Sequence, residues 1–167
     1  MKTKIVRLFL LVVASCSSIT VYSQTAASGA STQKSGGTTE RRVVRLPGAP
    51  PPSVPISPAI VAGDFVFTSG QIGIDPKTSQ MVAGGIEEQA EQVLRNLTAV
   101  LEAAGSSTSH VLKTTVFLAD MADYAAMNEV YRRHFKEDPP ARSAIQVAKL
   151  PANARIEIEA VALVKKN

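Results

Sequence analysis

Apolar positions recur at two different spacings from Arg41 onward. Three- and four-residue spacing predicts a helix over residues 86–104, ended by Gly105, and a second helix over residues 123–135. Short apolar or alternating runs predict strands at residues 43–44, 59–62, 65–71, 111–118, 143–147 and 155–164. Gly63 and Asp64 supply the turn of a hairpin between the second and third of these strands.

This order of elements predicts an α+β fold, with two helices on one face of a mixed β-sheet. One face of the last predicted strand is wholly apolar and carries Ile156, Ile158, Ala160, Ala162 and Val164. Its other face mixes acidic and apolar residues, namely Glu157, Glu159, Val161 and Leu163. Apolar residues on both faces indicate burial on both faces. Since the sequence encodes no third layer, we expect a second copy of the chain to cover the outer face.

Three segments follow neither spacing. Residues 47–58 are rich in proline, which predicts an extended segment with few backbone donors. Asp75-Pro76-Lys77-Thr78 predicts a surface turn. Residues 24–40 are rich in serine, threonine, glycine and alanine, which is typical of a disordered tether. The folded domain is therefore expected over residues 41–167.

The first 23 residues have the pattern of an export signal. Residues 1–7 are positively charged, and the apolar run 8–14 is too short to span a bilayer. Cleavage before Gln24 would give a secreted, periplasmic protein. Val13-Ala14-Ser15-Cys16 also resembles a lipobox, which would end the leader at Ser15 and anchor the chain to a membrane through a lipidated Cys16. A retained N-terminal segment is the third alternative.

Charge and composition argue against several classes of function. Without Lys2, Lys4 and Arg7 of the leader, the 18 basic residues fall to 15, against 14 acidic ones. This balance, with no tryptophan, argues against a nucleic-acid partner. Cys16 is the only cysteine, so the folded domain has no thiol nucleophile or disulfide. Only two histidines occur, far apart in sequence, so we do not expect a metal site built on them.

Several stretches together resemble the RidA (YjgF) family. They are residues 67–72 (FTSGQI), 101–105 (LEAAG), 111–118 (VLKTTVFL), 140–143 (PARS), and Leu150-Pro151 followed by 156–160 (IEIEA). The resemblance implies a chorismate-mutase-like homotrimer with three clefts at subunit interfaces. It also implies cofactor-free hydrolysis of 2-iminopropanoate and 2-iminobutanoate to 2-keto acids and ammonia.

Arg142 and Glu157 are the catalytic candidates. A small imino acid carries a carboxylate, which suits the planar, bidentate guanidinium of arginine, and Arg142 follows Pro140-Ala141 at the start of a strand. Glu157 corresponds to the family residue that helps to position the attacking water. Without the resemblance, a surface ion pair would explain Arg142, and solvation would explain Glu157 and Glu159.

Five further residues are expected to bind the substrate. Ser69 and Gly70 lie at a strand end, where a hydroxyl and a backbone N–H can point into a cleft, and Asn128 matches a weaker family position on the second helix. Ala144 stands where the family commonly has cysteine, a position that acts through its backbone carbonyl. Ile56 stands in the place of a pocket tyrosine. It removes a hydroxyl and an aromatic wall, which puts the substrate and the rate in question.

Two other functions compete with the deaminase. The same cleft could bind a carboxylate metabolite, or the surface could engage proteins, without catalysis. Export favours this non-catalytic alternative, because the usual source of 2-aminoacrylate is a cytoplasmic enzyme. Ribonuclease activity is the third hypothesis, and the near-neutral charge argues against it.

Overall fold

The computed structural model describes residues 40–48 and 54–166. The predicted leader with Cys16, nearly all of the predicted tether, and residues 49–53 of the proline-rich segment lie outside the described residues. No helix in the described ranges is long and apolar enough to cross a membrane.

Nine strands and two α-helices make up the described chain. In chain order they are β1 (Arg41–Val44), β2 (Ala59–Ala62), β3 (Phe65–Thr68), β4 (Gln71–Ile72), β5 (Ile74–Asp75), β6 (Gln80–Met81), α1 (Ile86–Ala103), β7 (Val111–Leu118), α2 (Tyr124–His134), β8 (Ala141–Gln146) and β9 (Ile156–Leu163). The main sheet has the order β1-β2-β3-β9-β7-β8, and β4 also pairs with β9. All pairs are antiparallel except β7 with β8, which α2 connects. The predicted α+β class with a mixed sheet is confirmed.

The hydrophobic core lies between the two helices and one face of the sheet. Leu94, Leu97 and Leu101 on α1 and Met127 and Val130 on α2 are buried there. The sheet contributes alternate residues, which are Val66, Val116, Ile156, Ile158, Ala160 and Ala162. Because side chains alternate along a strand, the intervening residues point away from the helices.

The other face of the sheet mixes apolar residues with the charged residues Lys113, Glu157 and Glu159, and it is partly exposed in the described chain. We call it the open face, and its apolar residues are Phe65 and Phe67 on β3, Phe117 on β7, Ile145 on β8, and Val161 and Leu163 on β9. Phe65, Phe67 and Ile145 are 43%, 47% and 47% exposed. Large apolar side chains exposed together in this way are typical of an interaction surface.

The structure corrects several predicted boundaries. The predicted strand 65–71 is broken at Ser69 and Gly70, because the Ala160 N–H on β9 donates to Thr68 Oγ1 at 2.9 Å and the register with β9 shifts by one residue between β3 and β4. The predicted turn at residues 75–78 joins β5 to β6, a small hairpin that the spacing did not indicate. Pro47 and Gly48 form a turn rather than an extended run, since Gly48 has φ 73°. Strand β8 begins at Ala141 rather than residue 143, so Arg142 lies within the strand.

Candidate functional site

The guanidinium of Arg142 lies against two tyrosine rings of α2. Its Cζ is 4.5 Å from the ring centroid of Tyr131 and 5.7 Å from that of Tyr124. Its Nη2 donates to Tyr124 Oη at 3.3 Å, and its Nη1 is 3.9 Å from Met127 Sδ. Among the described residues no carboxylate forms a salt bridge with Arg142. The Arg142 guanidinium is therefore held by aromatic rings, and no acidic side chain of the described residues neutralises its charge.

The sheet and α2 fix this arrangement together. Arg142 is in register with Thr114 on β7, whose Oγ1 is 2.7 Å from Tyr131 Oη. Burial raises the pKa of Tyr131, so its phenol stays neutral and keeps this hydrogen bond. Phe135 stacks on Tyr131 with ring centroids 4.5 Å apart. These contacts connect the tyrosine that supports Arg142 to the hydrophobic core.

A cleft of about 430 Å³ opens beside this arginine. Its lining residues come from α2 and from the start of β8, and they are Asn128, Tyr131, Arg132, Phe135, Pro139, Pro140 and Arg142. The cleft therefore unites two of the predicted residues, Arg142 and Asn128. Ala144 is two residues along β8 from Arg142, on the same strand face, and packs against the core. We call Arg142, Asn128 and Ala144 the arginine group.

Glu157 lies beside the break between β3 and β4. A β-carbon at position 70 would overlap the Glu157 carboxylate, so only glycine allows the approach. The Ser69 hydroxyl donates to the Ser57 carbonyl at 2.7 Å, which leaves its lone pairs able to accept. Ile56 precedes Ser57 and is 49% exposed. We call Glu157, Ser69, Gly70 and Ile56 the carboxylate group.

Two features of the site raise the pKa of Glu157. Burial is the larger cause, and the negative charge of Glu159 is the second. Both glutamates point from β9 toward the open face, as the alternation predicted. Glu159 shares a small cavity with Lys113 and Thr115. Glu157 therefore holds its proton at higher pH than an ordinary glutamate, which suits a group that exchanges protons.

The two groups lie on opposite faces of one sheet. Arg142 and its partner Thr114 face the helices, whereas Glu157 is in register with Phe117 on the open face. Because side chains in register share a sheet face, a single chain does not bring Arg142 and Glu157 to one ligand. The predicted site residues therefore do not form one pocket within a single chain.

Three residues of the arginine side were not predicted as site residues. Tyr124 and Tyr131 lie on the apolar side of α2, where helical spacing predicts core packing. Arg132 lies in a run of charged residues, which is typical of an exposed helix face. The phenol hydroxyls of these two tyrosines were the sequence signal for a site wall, since a buried phenol needs a polar partner and phenylalanine would serve for packing alone.

The two histidines have ordinary surroundings. His110 Nδ1 is 2.8 Å from Ser107 Oγ, and His134 Nε2 is 3.2 Å from Glu91 Oε2. Within residues 40–48 and 54–166, no three histidine, cysteine, aspartate or glutamate side chains cluster as metal ligands would.

Comparison with known proteins gives the same family from sequence and from structure. The family model described as endoribonuclease L-PSP matches residues 47–164. A RutC family protein of Pyrococcus horikoshii is 52% identical over 122 residues, which cover 73% of this chain and 97% of that protein. The 2-iminobutanoate/2-iminopropanoate deaminase of Homo sapiens is 48% identical over 123 residues, covering 74% of this chain and 90% of that protein.

A solved structure agrees with these relatives. TdcF of Escherichia coli, crystallised with bound serine, has a TM-score of 0.69 and 38% identity, covering 74% of this chain and 99% of that one. The chain therefore belongs to the RidA (YjgF) family, the group that the endoribonuclease L-PSP model describes.

Proposed function

We propose that the protein is a deaminase that hydrolyses reactive 2-imino acids, such as 2-iminopropanoate and 2-iminobutanoate, at sites shared between neighbouring copies of a homotrimer. The observation that carries the proposal is the Arg142 guanidinium, which is held by Tyr124 and Tyr131 beside an open cleft and has no acidic partner in the described chain. The deaminase name of the human relative supports the same reaction.

Each group has a separate task in this reaction. The Arg142 fork binds the substrate carboxylate through paired charge-assisted hydrogen bonds and fixes its plane. Glu157 orients a water and accepts its proton as the water oxygen bonds to the C=N carbon. The proton passes to the nitrogen and gives a carbinolamine. The proton of its new hydroxyl then moves to the nitrogen as the C–N bond breaks, which leaves the 2-keto acid and ammonia. The residues of this chain supply recognition, orientation and proton transfer.

A second copy completes the site in this proposal. The open face exposes Phe65, Phe67 and Ile145, and covering it would bury apolar area worth about 25 cal/mol per Å². The same contact would carry the Glu157 of one copy toward the Arg142 of the next. A ring of three gives each copy one complete arrangement, since every copy offers both groups.

Ile56 sets the wall of the proposed pocket. Its branched side chain is half exposed and comes directly before Ser57, whose carbonyl accepts from the Ser69 hydroxyl, and the family resemblance expects a tyrosine in its place. An aliphatic wall offers no hydroxyl to the substrate. Recognition in this protein would therefore depend more heavily on the arginine group.

An imine assay tests the proposed reaction. A serine dehydratase generates 2-iminopropanoate in solution, and the purified protein is added while loss of the imine is followed. We expect loss faster than spontaneous hydrolysis, in proportion to the protein concentration. An unchanged rate would contradict the deaminase proposal.

Binding without catalysis is the second candidate function. It is favoured by the serine that TdcF of Escherichia coli holds, since serine is a small carboxylate with an amino group. In the imine assay, this candidate predicts tight binding of a 2-keto acid, measured by calorimetry, with no acceleration.

Replacing Glu159 with glutamine is expected to move the acid limb of the pH profile of kcat/KM to lower pH. The negative charge of Glu159 disfavours ionisation of Glu157, so its removal lowers the Glu157 pKa and keeps the carboxylate ionised in more acidic solution. Glu157 remains buried in the variant, so its pKa, and with it the acid limb, should stay above the pKa of an ordinary glutamate. Rates from about pH 4 to 8 would measure the shift. Glu102→Gln on α1 is the control, and a limb that moves upward contradicts the assignment.

A further inference from the structure

A second arginine lines the cleft beside Arg142. Arg132 lines it from α2, Arg142 lines it from β8, and none of its described lining residues is acidic. We propose that the site takes 2-imino acids with a second carboxylate, such as 2-iminoglutarate, and that Arg132 binds the distal carboxylate. This inference rests on the proposed deaminase function and names the substrate class of that site.

The shape and donors of the cleft support a long, doubly anionic ligand. Its volume of about 430 Å³ leaves room for a ligand longer than a three-carbon acid. Pro139 and Pro140 form a rigid wall without backbone N–H donors, and the Tyr131 hydroxyl is already bonded to Thr114. The remaining lining residues with side-chain donors are Arg132, Arg142 and Asn128. Two arginines can hold two carboxylates, whereas a monocarboxylate leaves one of them unused.

Arg132 is free to exchange its present partner. Its Nη1 is 2.6 Å from Glu129 Oε2, one turn back on α2, and both side chains are about two-thirds exposed. Ion pairs at such exposed positions contribute little stability. Glu129 does not line the cleft, so a ligand carboxylate can replace it as the acceptor without displacing any part of the pocket.

The chemistry at the imine carbon stays the same. The water oxygen bonds to C2, the C2–N bond breaks, and ammonia leaves a 2-keto dicarboxylate. Both carboxylates are unchanged, and no electrons are transferred. Imines of this class arise when an amino-acid oxidase acts on an acidic amino acid.

The chain offers a matched control for Arg132. Arg133 is the next residue of α2 and has a similarly exposed side chain, but it pairs with Glu91 at 3.6 Å and does not line the cleft. Arg132→Gln and Arg133→Gln therefore remove the same charge from neighbouring positions. A general effect of net charge would appear in both variants, whereas direct binding would appear in the first alone.

The experiment compares two imines with three proteins. A glutamate oxidase generates 2-iminoglutarate and an alanine-oxidising enzyme generates 2-iminopropanoate, and the KM for each is measured with wild type, Arg132→Gln and Arg133→Gln. We expect wild type to have the lower KM for 2-iminoglutarate. Arg132→Gln should raise that KM about tenfold relative to its KM for 2-iminopropanoate, as expected for one lost charge-assisted hydrogen bond at an exposed position. Arg133→Gln should change neither value.

Other outcomes would overturn the inference and separate it from the proposed function. If 2-iminopropanoate is hydrolysed but 2-iminoglutarate is not, the dicarboxylate class is wrong and the deaminase stands. Equal changes for both imines in Arg132→Gln would mean that Arg132 does not contact a second carboxylate. If neither imine is hydrolysed, the deaminase proposal itself is wrong.

Discussion

Replacing Arg142 with lysine is expected to lower kcat/KM for 2-iminopropanoate about ten- to hundred-fold, while the fold and the assembly persist. Lysine keeps the positive charge but presents a point cation, so it no longer fixes the plane of the substrate carboxylate. It also loses the stacked contact with the Tyr131 and Tyr124 rings that orients the fork. One lost charge-assisted hydrogen bond costs about 1.5–3 kcal/mol, and misplacement of the imine carbon adds to the loss in rate.

Steady-state kinetics with matched variants measure this effect. Arg95→Lys is the control, because Arg95 is an exposed arginine of α1 that pairs with Glu91 away from the cleft. The mass of Arg142→Lys by light scattering and its midpoint of thermal unfolding should match those of wild type. A wild-type rate in Arg142→Lys would mean that Arg142 does not anchor the carboxylate.

Replacing Phe67 with aspartate is expected to give monomers and to abolish the deaminase activity. Phe67 is 47% exposed on the open face, in register with Val161 and with its ring centroid 6.4 Å from that of Phe65. An unpaired carboxylate buried in an apolar interface costs several kcal/mol per copy, which exceeds what a small interface can offset. Separated copies hold the arginine group and the carboxylate group on opposite faces, so no chain retains a complete site.

Light scattering and the imine assay on the same sample test this link. Ala99→Asp on the outer face of α1 is the control, since it also introduces an aspartate at an exposed apolar position. Circular dichroism should show that Phe67→Asp keeps its secondary structure, because Phe67 points away from the core. A monomer with full activity would show that one chain suffices.

The fold was largely predictable because its signals are local. Three- and four-residue spacing predicts the first helix over residues 86–104, and α1 spans Ile86–Ala103. Gly105 follows with φ 83°. The break in the strand after Thr68 was not predictable, since it depends on contacts with distant residues. Ser69 bonds to the segment at residues 57–58, and Gly70 makes room for Glu157, almost ninety positions later.

The candidate residues could be named from the sequence, whereas their separation onto opposite faces of the sheet could not. Motif spacing identifies Arg142 and Glu157, but their sheet faces depend on the register of β8 and β9 against β7. A one-residue change in that register would place them on the same face. Arg132 and the tyrosine support of Arg142 were missed because helical spacing does not distinguish a core stripe from a site wall. Alternation did place Glu157 and Glu159 on one face, as the structure has them.

The most direct test of the shared site is complementation between two inactive variants. Arg142→Ala and Glu157→Gln are each purified, shown to be inactive, and then co-expressed with different tags so that mixed trimers can be isolated. In a ring of three, every mixed trimer pairs one intact Arg142 with one intact Glu157 at one of its three interfaces, so the isolated mixed trimers should have about a third of the wild-type activity. Activity that stays at the level of the separate variants would contradict a site shared between copies.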